Sequence, residues 1–359
     1  MHPNLRGLSA ALVGSGHQCF FIVEGIGASE EKFVPNRRVC DPRDSLENWQ
    51  EVLAEIRPDL VVQRNFNGGF IQLWKLAKFA GIPVVRYSQD PSEAPFKDFL
   101  YRPARVVRFL RDRIWFRVIL GNHRTLTPVS RWGSHPGRLI KNVTYFPFPI
   151  VRTPPKMQKP VKPLTVLCVA KHGQRRKRVI WLLRALTHSR DSFRLILVGS
   201  SPPTGAKAWN RYDNKLRKRA ETLGSRAKDV VFFDDVSELE LGRLYRGADL
   251  FVLPAKREMM AISPLEAMAH GLPVLVSSDG GAASYVREAG KEQVFRARSY
   301  GDFQDKFARL REDQSLRSRL VEQGAGVLVK KHSPDKLQDS LKSLLQEVKH
   351  REAESFRGA

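Results

Sequence analysis

The sequence predicts an α/β protein of two doubly wound halves, each built on a mostly parallel sheet. Three observations carry this. Apolar strand-like runs alternate with helical stretches almost throughout. A proline-rich break interrupts the alternation near the middle, and the pattern then restarts. The length, 359 residues, suits two domains at roughly 150 residues each. Halves of that size can each bury a hydrophobic core.

In the first half, a loop and helix from Pro3 to Gly16 lead to a strand at Cys19–Val23. The helix-like Leu46–Ile56 precedes a strand at Asp59–Val62. Leu73–Ala80 and the stop signal Gly81 precede another at Ile82–Val85. Thr125–Thr127 and Val143–Phe146 continue the series. A doubly wound domain usually opens on a strand, so the first strand of this half is expected to be missing.

Pro149, Pro154, Pro155, Pro160 and Pro163 then mark a stiff linker. After it come strand Leu164–Val169, helix Val179–Leu186, strand Arg194–Val198 and the basic helix Lys215–Leu223. Strand Val230–Phe233, helix Leu239–Tyr245, strand Leu250–Leu253, helix Pro264–His270 and strand Val274–Val276 follow. The chain from Phe303 to about Lys349 reads as mostly helical. The expected division is a first domain at 1–150, a linker at 151–163, a second domain at 164–335 and a terminal helix and tail at 336–359.

Composition narrows the function. The chain is 42% hydrophobic and 27% charged, as in folded soluble proteins. Its formal net charge is +24, and both halves are basic. That field favours anionic partners: nucleic acid, phosphorylated substrates or an acidic membrane face. No run approaches 18 consecutive apolar residues, and the start lacks a signal peptide's apolar core. Cys19, Cys40 and Cys168 are odd in number and lack metal-type spacing, so no metal site is expected. A reduced, cytoplasmic compartment fits.

The chemistry concentrates in residues 250–281. A buried strand runs to Leu253 and a loop carries Glu258. Ser263 can cap a helix, with Pro264 at its first position and Gly271 at its end. Strand, loop, then helix N-terminus is where open α/β sheets bind ligands, and free N–H groups there favour phosphate. Glu258 and Glu266 can accept hydrogen bonds from sugar hydroxyls. Two plainer readings stand beside this. Ser263-Pro264-Leu265-Glu266 fits a capping box, and Glu258 could be an ordinary exposed loop carboxylate.

Glu258 and Glu266 also stand in the E-x7-E spacing of the retaining GT-B glycosyltransferases of family 4 type (glycosyl transferases group 1). The text around them resembles that family: a strand ending in Leu-Pro, a Glu, then Pro-Leu-Glu-Ala-Met-Ala, Gly-Leu-Pro-Val and Asp-Gly-Gly. The resemblance implies two Rossmann-like domains facing across a cleft, with the donor nucleotide-diphospho-sugar on the second. It implies that Glu258 contacts the donor sugar and Glu266 the ribose hydroxyls. Met259, Met260, Ala261 and Ile262 would contact sugar and diphosphate through backbone N–H groups. Val166–Leu183 resembles the family's strand, basic loop and helix, in which an Arg and a Lys hold the diphosphate. Here Lys171 stands in the Arg position and Lys177 in the Lys position. Five of residues 171–178 are basic; the alternative is a solvated charge run. The similarity covers about residues 164–286 well and the first half weakly.

The expected function is an enzyme, a hexosyltransferase-type glycosyltransferase. It would pass a sugar from a UDP- or GDP-linked donor to a glycan or lipid-linked acceptor, with retention and without metal or cofactor. Its catalytic residues would be Glu258, Lys171 and Lys177. Many members carry a His after the Gly-x-Pro-Val-Val strand, where this chain has Gln89. With the missing first strand, that departure keeps open a non-catalytic nucleotide-sugar-binding protein. Arg102, Arg105, Arg108, Arg111, Arg113 and Arg117 punctuate the apolar Tyr101–Leu120, so an anionic membrane surface is a further expected partner, at the inner face of the membrane. No RNP, KH or zinc-finger pattern occurs, and no specific nucleic acid is expected.

Overall fold

A computed structural model describes residues 12–14, 16–24, 37–40, 46–63, 69–87, 125–127, 143–150, 163–186, 193–201, 205–221, 227–256, 258 and 260–357. The chain divides into two compact units, one of residues 1–149 with 333–359, the other of residues 150–332. Most of the proline-rich segment 151–163, the arginine-rich 101–120 and Gln89 lie outside the described residues.

The first unit holds strands β1 (Phe21–Glu24) and β2 (Arg37–Cys40), paired in parallel. Helix α1 (Leu46–Ile56), β3 (Val61–Gln63), α2 (Gly69–Phe79), β4 (Val84–Tyr87), β5 (Thr125–Thr127) and β6 (Val143–Tyr145) follow. Strands β3 to β6 form a parallel sheet in sequence order. No described strand precedes β1, and residues 1–11 lie outside the described residues. Trp49, Val52 and Leu53 of α1 meet Leu73 and Ala77 of α2 in one apolar cluster. Their spacing in α1, with Ile56 beside them, is that of one helix face.

The second unit is a six-stranded, wholly parallel sheet in the order β12-β11-β10-β7-β8-β9. Its elements are β7 (Leu164–Val169), α3 (Val179–Leu186), β8 (Phe193–Gly199), α4 (Lys207–Glu221), β9 (Ala227–Asp234), α5 (Glu238–Gly247) and β10 (Leu250–Leu253). Then come α6 (Ser263–Ala269), β11 (Val274–Ser277), α7 (Ala282–Ala289), β12 (Val294–Phe295), α8 (Tyr300–Glu312) and α9 (Gln314–His332). Every residue of β10 and β11 is buried, as parallel strands covered on both faces require. From β7 the chain winds to β8 and β9 on one side, then crosses to β10, β11 and β12 on the other. The loops after β7 and β10 therefore part at a topological switch point.

Both units use one device between helix and strand. Gly81 (φ 73°) and Gly271 (φ 77°) are left-handed, which favours glycine. Beyond each, a backbone N–H reaches back over the helix end: Ile82 to Ala77 O at 2.8 Å, and Leu272 to Ala267 O at 3.0 Å. The next residue, a proline, accepts from the neighbouring strand: Pro83 O from Val61 and Pro273 O from Phe251.

The structure departs from expectation at several elements. Helix α4 begins at Lys207, not Lys215, because its exposed turns carry charge and leave no apolar stripe to read. Strand β2 and helix α7 were not expected at all. The final helix α10 (Pro334–Arg357) belongs to the first unit. Its Leu337, Leu341 and Leu344 pack with Val85, Tyr87, Leu126 and Phe146. The terminal helix that the sequence sets apart from both domains thus contributes a face that completes a core.

Leu337→Ala should therefore destabilise the first unit by about 2–5 kcal/mol, the usual range for emptying a buried leucine site. Thermal unfolding followed by near-ultraviolet circular dichroism checks this. An unchanged midpoint would mean that α10 is not part of that core.

Candidate functional site

The site is assembled at the carboxyl ends of β7 and β10. These strands pair in parallel, with Leu250 opposite Val166 and Phe251 opposite Leu167. The loop after β7 starts with Ala170, whose N–H continues the ladder to Val198 O at 2.8 Å. It passes Lys171 and His172, forms a 3-10 turn at Arg175–Lys177, and enters α3 through Arg178, itself left-handed at φ 56°.

Two glycines make room for that loop. A Cβ on Gly173 would fall 1.2 Å from Trp209 Cδ1, and one on Gly199 would fall 2.2 Å from His172 Nε2. His172 is buried in a polar network. Its Nδ1 lies 3.0 Å from Asp213 Oδ1 and its Nε2 3.3 Å from Asp234 Oδ1. Arg217 joins the same carboxylates at 2.9 and 2.7 Å. This network ties the loop to α4 and to the end of β9; it is a positioning feature, and sequence spacing carries no sign of it.

Lys177 and Glu258 come together. Both are buried, at 8% and 9% exposure, and Lys177 Nζ donates to Glu258 Oε1. Arg176 Nη1 stands 3.5 Å from the same oxygen. Glu258 is thus not an exposed loop carboxylate. Burial pushes the Lys177 ammonium below its ordinary range, while Glu258 opposes that shift. Removing one partner of such a buried pair usually costs about 3–5 kcal/mol, because the other charge stays buried and uncompensated. The second oxygen, Glu258 Oε2, is also buried and accepts no hydrogen bond from the described residues. Lys171 is exposed at the start of the loop.

The loop from Glu258 to α6 is pinned along its length. Glu258 O accepts from the Gly281 N–H at 2.5 Å, just before α7. Ala261 O accepts from the Tyr285 hydroxyl at 2.6 Å. Ser263 donates its hydroxyl to Val169 O at 3.0 Å. Met260 and Ile262 are half-buried and Ala261 is buried; Met259 lies outside the described residues.

The capping-box alternative does not hold. Ser263 is the first residue of α6 and caps nothing; its hydroxyl goes to β7. Glu266 instead accepts from the Tyr245 hydroxyl at 2.8 Å. Tyr245 is fully buried, and its ring stacks on His270 with centroids 5.1 Å apart. Burial raises the Glu266 carboxyl above its ordinary value, and the Tyr245 hydrogen bond opposes the rise. Directly beneath the first loop, burial pushes the Cys168 thiol up to about 12, so it is no nucleophile at neutral pH. Among the described residues, no group of three His, Cys, Asp or Glu side chains could hold a metal ion.

The raised Glu266 value has a testable sign. A carboxyl whose folded value lies above its unfolded one loses stability as pH rises through the folded value. Glu266→Gln keeps an acceptor for Tyr245 and removes the half-buried charge. Its melting temperature should exceed that of the parent at pH 7, and the gap should close below about pH 4.5, the carboxyl's ordinary value. Thermal unfolding from pH 4 to 8 checks this; a variant less stable than the parent at pH 7 would overturn it.

Comparison with known proteins bears on the fold and on the second unit. Residues 152–325 match the family model of glycosyl transferases group 1. Mannosylfructose-phosphate synthase of Agrobacterium fabrum is 39% identical over 88 residues, which is 24% of this chain and 16% of that protein. The chain spans well under half the length of the curated relatives it matches. Sucrose-phosphate synthase from Thermosynechococcus elongatus superposes with a TM-score of 0.74 at 17% identity, over 97% of this chain and 93% of that one. Anabaena Alr3699/HepE, solved in complex with UDP and glucose, superposes at 0.71 with 14% identity, over 97% and 96%. At these identities the superpositions establish the fold, which is the GT-B fold, while the match to glycosyl transferases group 1 is confined to residues 152–325, in the second unit.

Proposed function

We propose that the chain is a glycosyltransferase that moves a sugar from a nucleotide-diphospho-sugar to a glycan or lipid-linked acceptor, with retention and without metal. The observation that carries this reading is the Lys177–Glu258 cluster. A buried carboxylate held by a buried lysine, with Oε2 accepting no hydrogen bond from the described residues, is an acceptor site for a sugar hydroxyl.

Placement in the two loops supports the following roles. Lys177, Arg176 and the exposed Lys171 supply positive charge to a diphosphate leaving group, an electrostatic role that needs no metal. Glu258 orients the donor sugar. Glu266, on the first turn of α6, accepts from the ribose hydroxyls. Backbone groups of residues 259–262 line the sugar and diphosphate. A UDP-linked donor gains support from the UDP and glucose bound in the Anabaena protein of the same fold.

No described helix is long and apolar enough to cross a membrane. The net charge of +24 favours an acceptor presented at an anionic membrane face, with the protein peripheral on its cytoplasmic side.

Isothermal titration of the full chain with UDP and with GDP tests the donor site. One of them should bind saturably, and a folded chain that takes up neither sinks the reading. Glu266→Ala should weaken that binding by about 10- to 100-fold, the worth of a charge-assisted hydrogen bond. Unchanged affinity would remove Glu266 from the nucleotide site.

A further inference from the structure

Glu266 is held from behind by one side chain. Tyr245, near the end of α5, donates its hydroxyl to Glu266 Oε2 at 2.8 Å and lies 3.3 Å from Ser263 O. A phenol has one proton, and the nearer, charged acceptor makes the stronger bond. Among the described residues, Tyr245 is the one side chain that hydrogen-bonds this carboxylate. Oε2 is therefore occupied, and Oε1 remains for a ligand.

The phenol is itself fixed. Its ring stacks on His270, with centroids 5.1 Å apart and planes 15° from parallel, and leans on Phe251 of β10 at 6.2 Å. His270 follows Glu266 by four residues, so both lie on one face of α6. One side chain of α5 thus spans that face, with its ring on His270 and its hydroxyl on Glu266.

Tyr245 is 1% exposed, whereas Glu266 is half-buried. A ligand that arrives from solvent meets Glu266 and not the phenol. Burial, and then the adjacent Glu266 carboxylate, push the Tyr245 hydroxyl well above its ordinary range, so it keeps its proton and stays a donor. Its hydrogen bond favours the ionised form of Glu266, and an ionised carboxylate only accepts. The terminal torsion of a glutamate is broad, so an untethered carboxylate must be ordered when a ligand binds. Tyr245 orders this one in advance.

We propose that Tyr245 is a positioning residue that makes the nucleotide site selective for ribose over deoxyribose. It acts through Glu266: by holding Oε2 it leaves Oε1 fixed and ionised to accept from the ribose hydroxyls. The ligand class is a ribonucleoside diphosphate and the sugar donors built on it. The proposal rests on the ribose role given to Glu266 in the proposed function.

The test uses the full chain, Tyr245→Phe, Glu266→Ala and the double variant. Phenylalanine keeps the ring on His270 and removes only the oxygen. In Glu266→Ala the Tyr245 hydroxyl still has Ser263 O within reach. Near-ultraviolet circular dichroism checks that each variant is folded. Each is titrated by calorimetry with UDP or GDP, whichever the parent binds, and with the 2′,3′-dideoxy form of the same nucleotide. For the parent, the dideoxy form should bind about 10- to 100-fold more weakly. Tyr245→Phe should narrow that gap by about three- to tenfold, the worth of one hydrogen bond. The loss should fall on the ribonucleotide, with affinity for the dideoxy form unchanged. In the Glu266→Ala background, Tyr245→Phe should leave ribonucleotide affinity as it was. A tyrosine that only supports the fold would weaken both nucleotides equally, and in either background. That result overturns the proposal, as does an unchanged gap, and the donor reading survives both. If the parent binds the two forms alike, the ribose role of Glu266 fails and the proposal with it. If the parent binds neither UDP nor GDP, the whole donor reading fails and the proposal falls with it.

Discussion

The parallel pairing of β7 with β10 is the constraint on which the rest of the second unit depends. It sets Val166 beside Leu250 although they are far apart in the chain. Because the chain winds away from β7 in one direction and from β10 in the other, the loops leaving their carboxyl ends diverge instead of covering each other. The gap is bridged by the buried Lys177–Glu258 pair and by the Lys256 N–H, which donates to Arg176 O at 2.7 Å. That pair has a desolvation cost which good geometry only partly offsets. It is better understood as a device for holding two loops in register than as a source of stability.

The surroundings of the pair consist largely of positioning groups. Gly281, Tyr285 and Ser263 fasten the loop that carries Glu258 to α7 and β7. His172, Asp213, Asp234 and Arg217 fasten the loop that carries Lys177 to α4 and β9. A binding site gains from such bracing because less ordering remains to be done when the ligand arrives. Glu266 shows the accompanying cost. Its carboxylate is desolvated, which is unfavourable for folding and useful for receiving a hydroxyl.

Much of this was legible in the sequence where hydrophobicity dictates the element. Leu164–Val169 and Val179–Leu186 have the bounds expected, because a buried parallel strand is apolar throughout and a helix against a sheet shows an apolar face. The first turns of helix α4 are not legible because its buried face is narrow, with Asp213, Leu216 and Ala220 among charged neighbours. Helix α7 leaves little mark in the sequence because Ala282-Ala283-Ser284 has little contrast between faces. In the site, the order of Glu258 and Glu266 was readable as a motif, but the fate of each carboxylate was not. The capping alternative for Glu266 failed through Tyr245 and through the Ser263 bond to Val169 O, both of them long-range contacts.

By itself the sequence determined the α/β class, the two halves, the strands that carry the site and the residue types gathered near it. These follow from periodicity, turn residues and charge, which are local properties of the chain. Only the tertiary structure decided which charges meet. It joined Lys177 to Glu258 across the switch point and placed the terminal helix on the first unit's core. The reason is physical. A charge or an apolar face in the sequence states a need for a partner, and the winding of the sheet selects which distant group meets it.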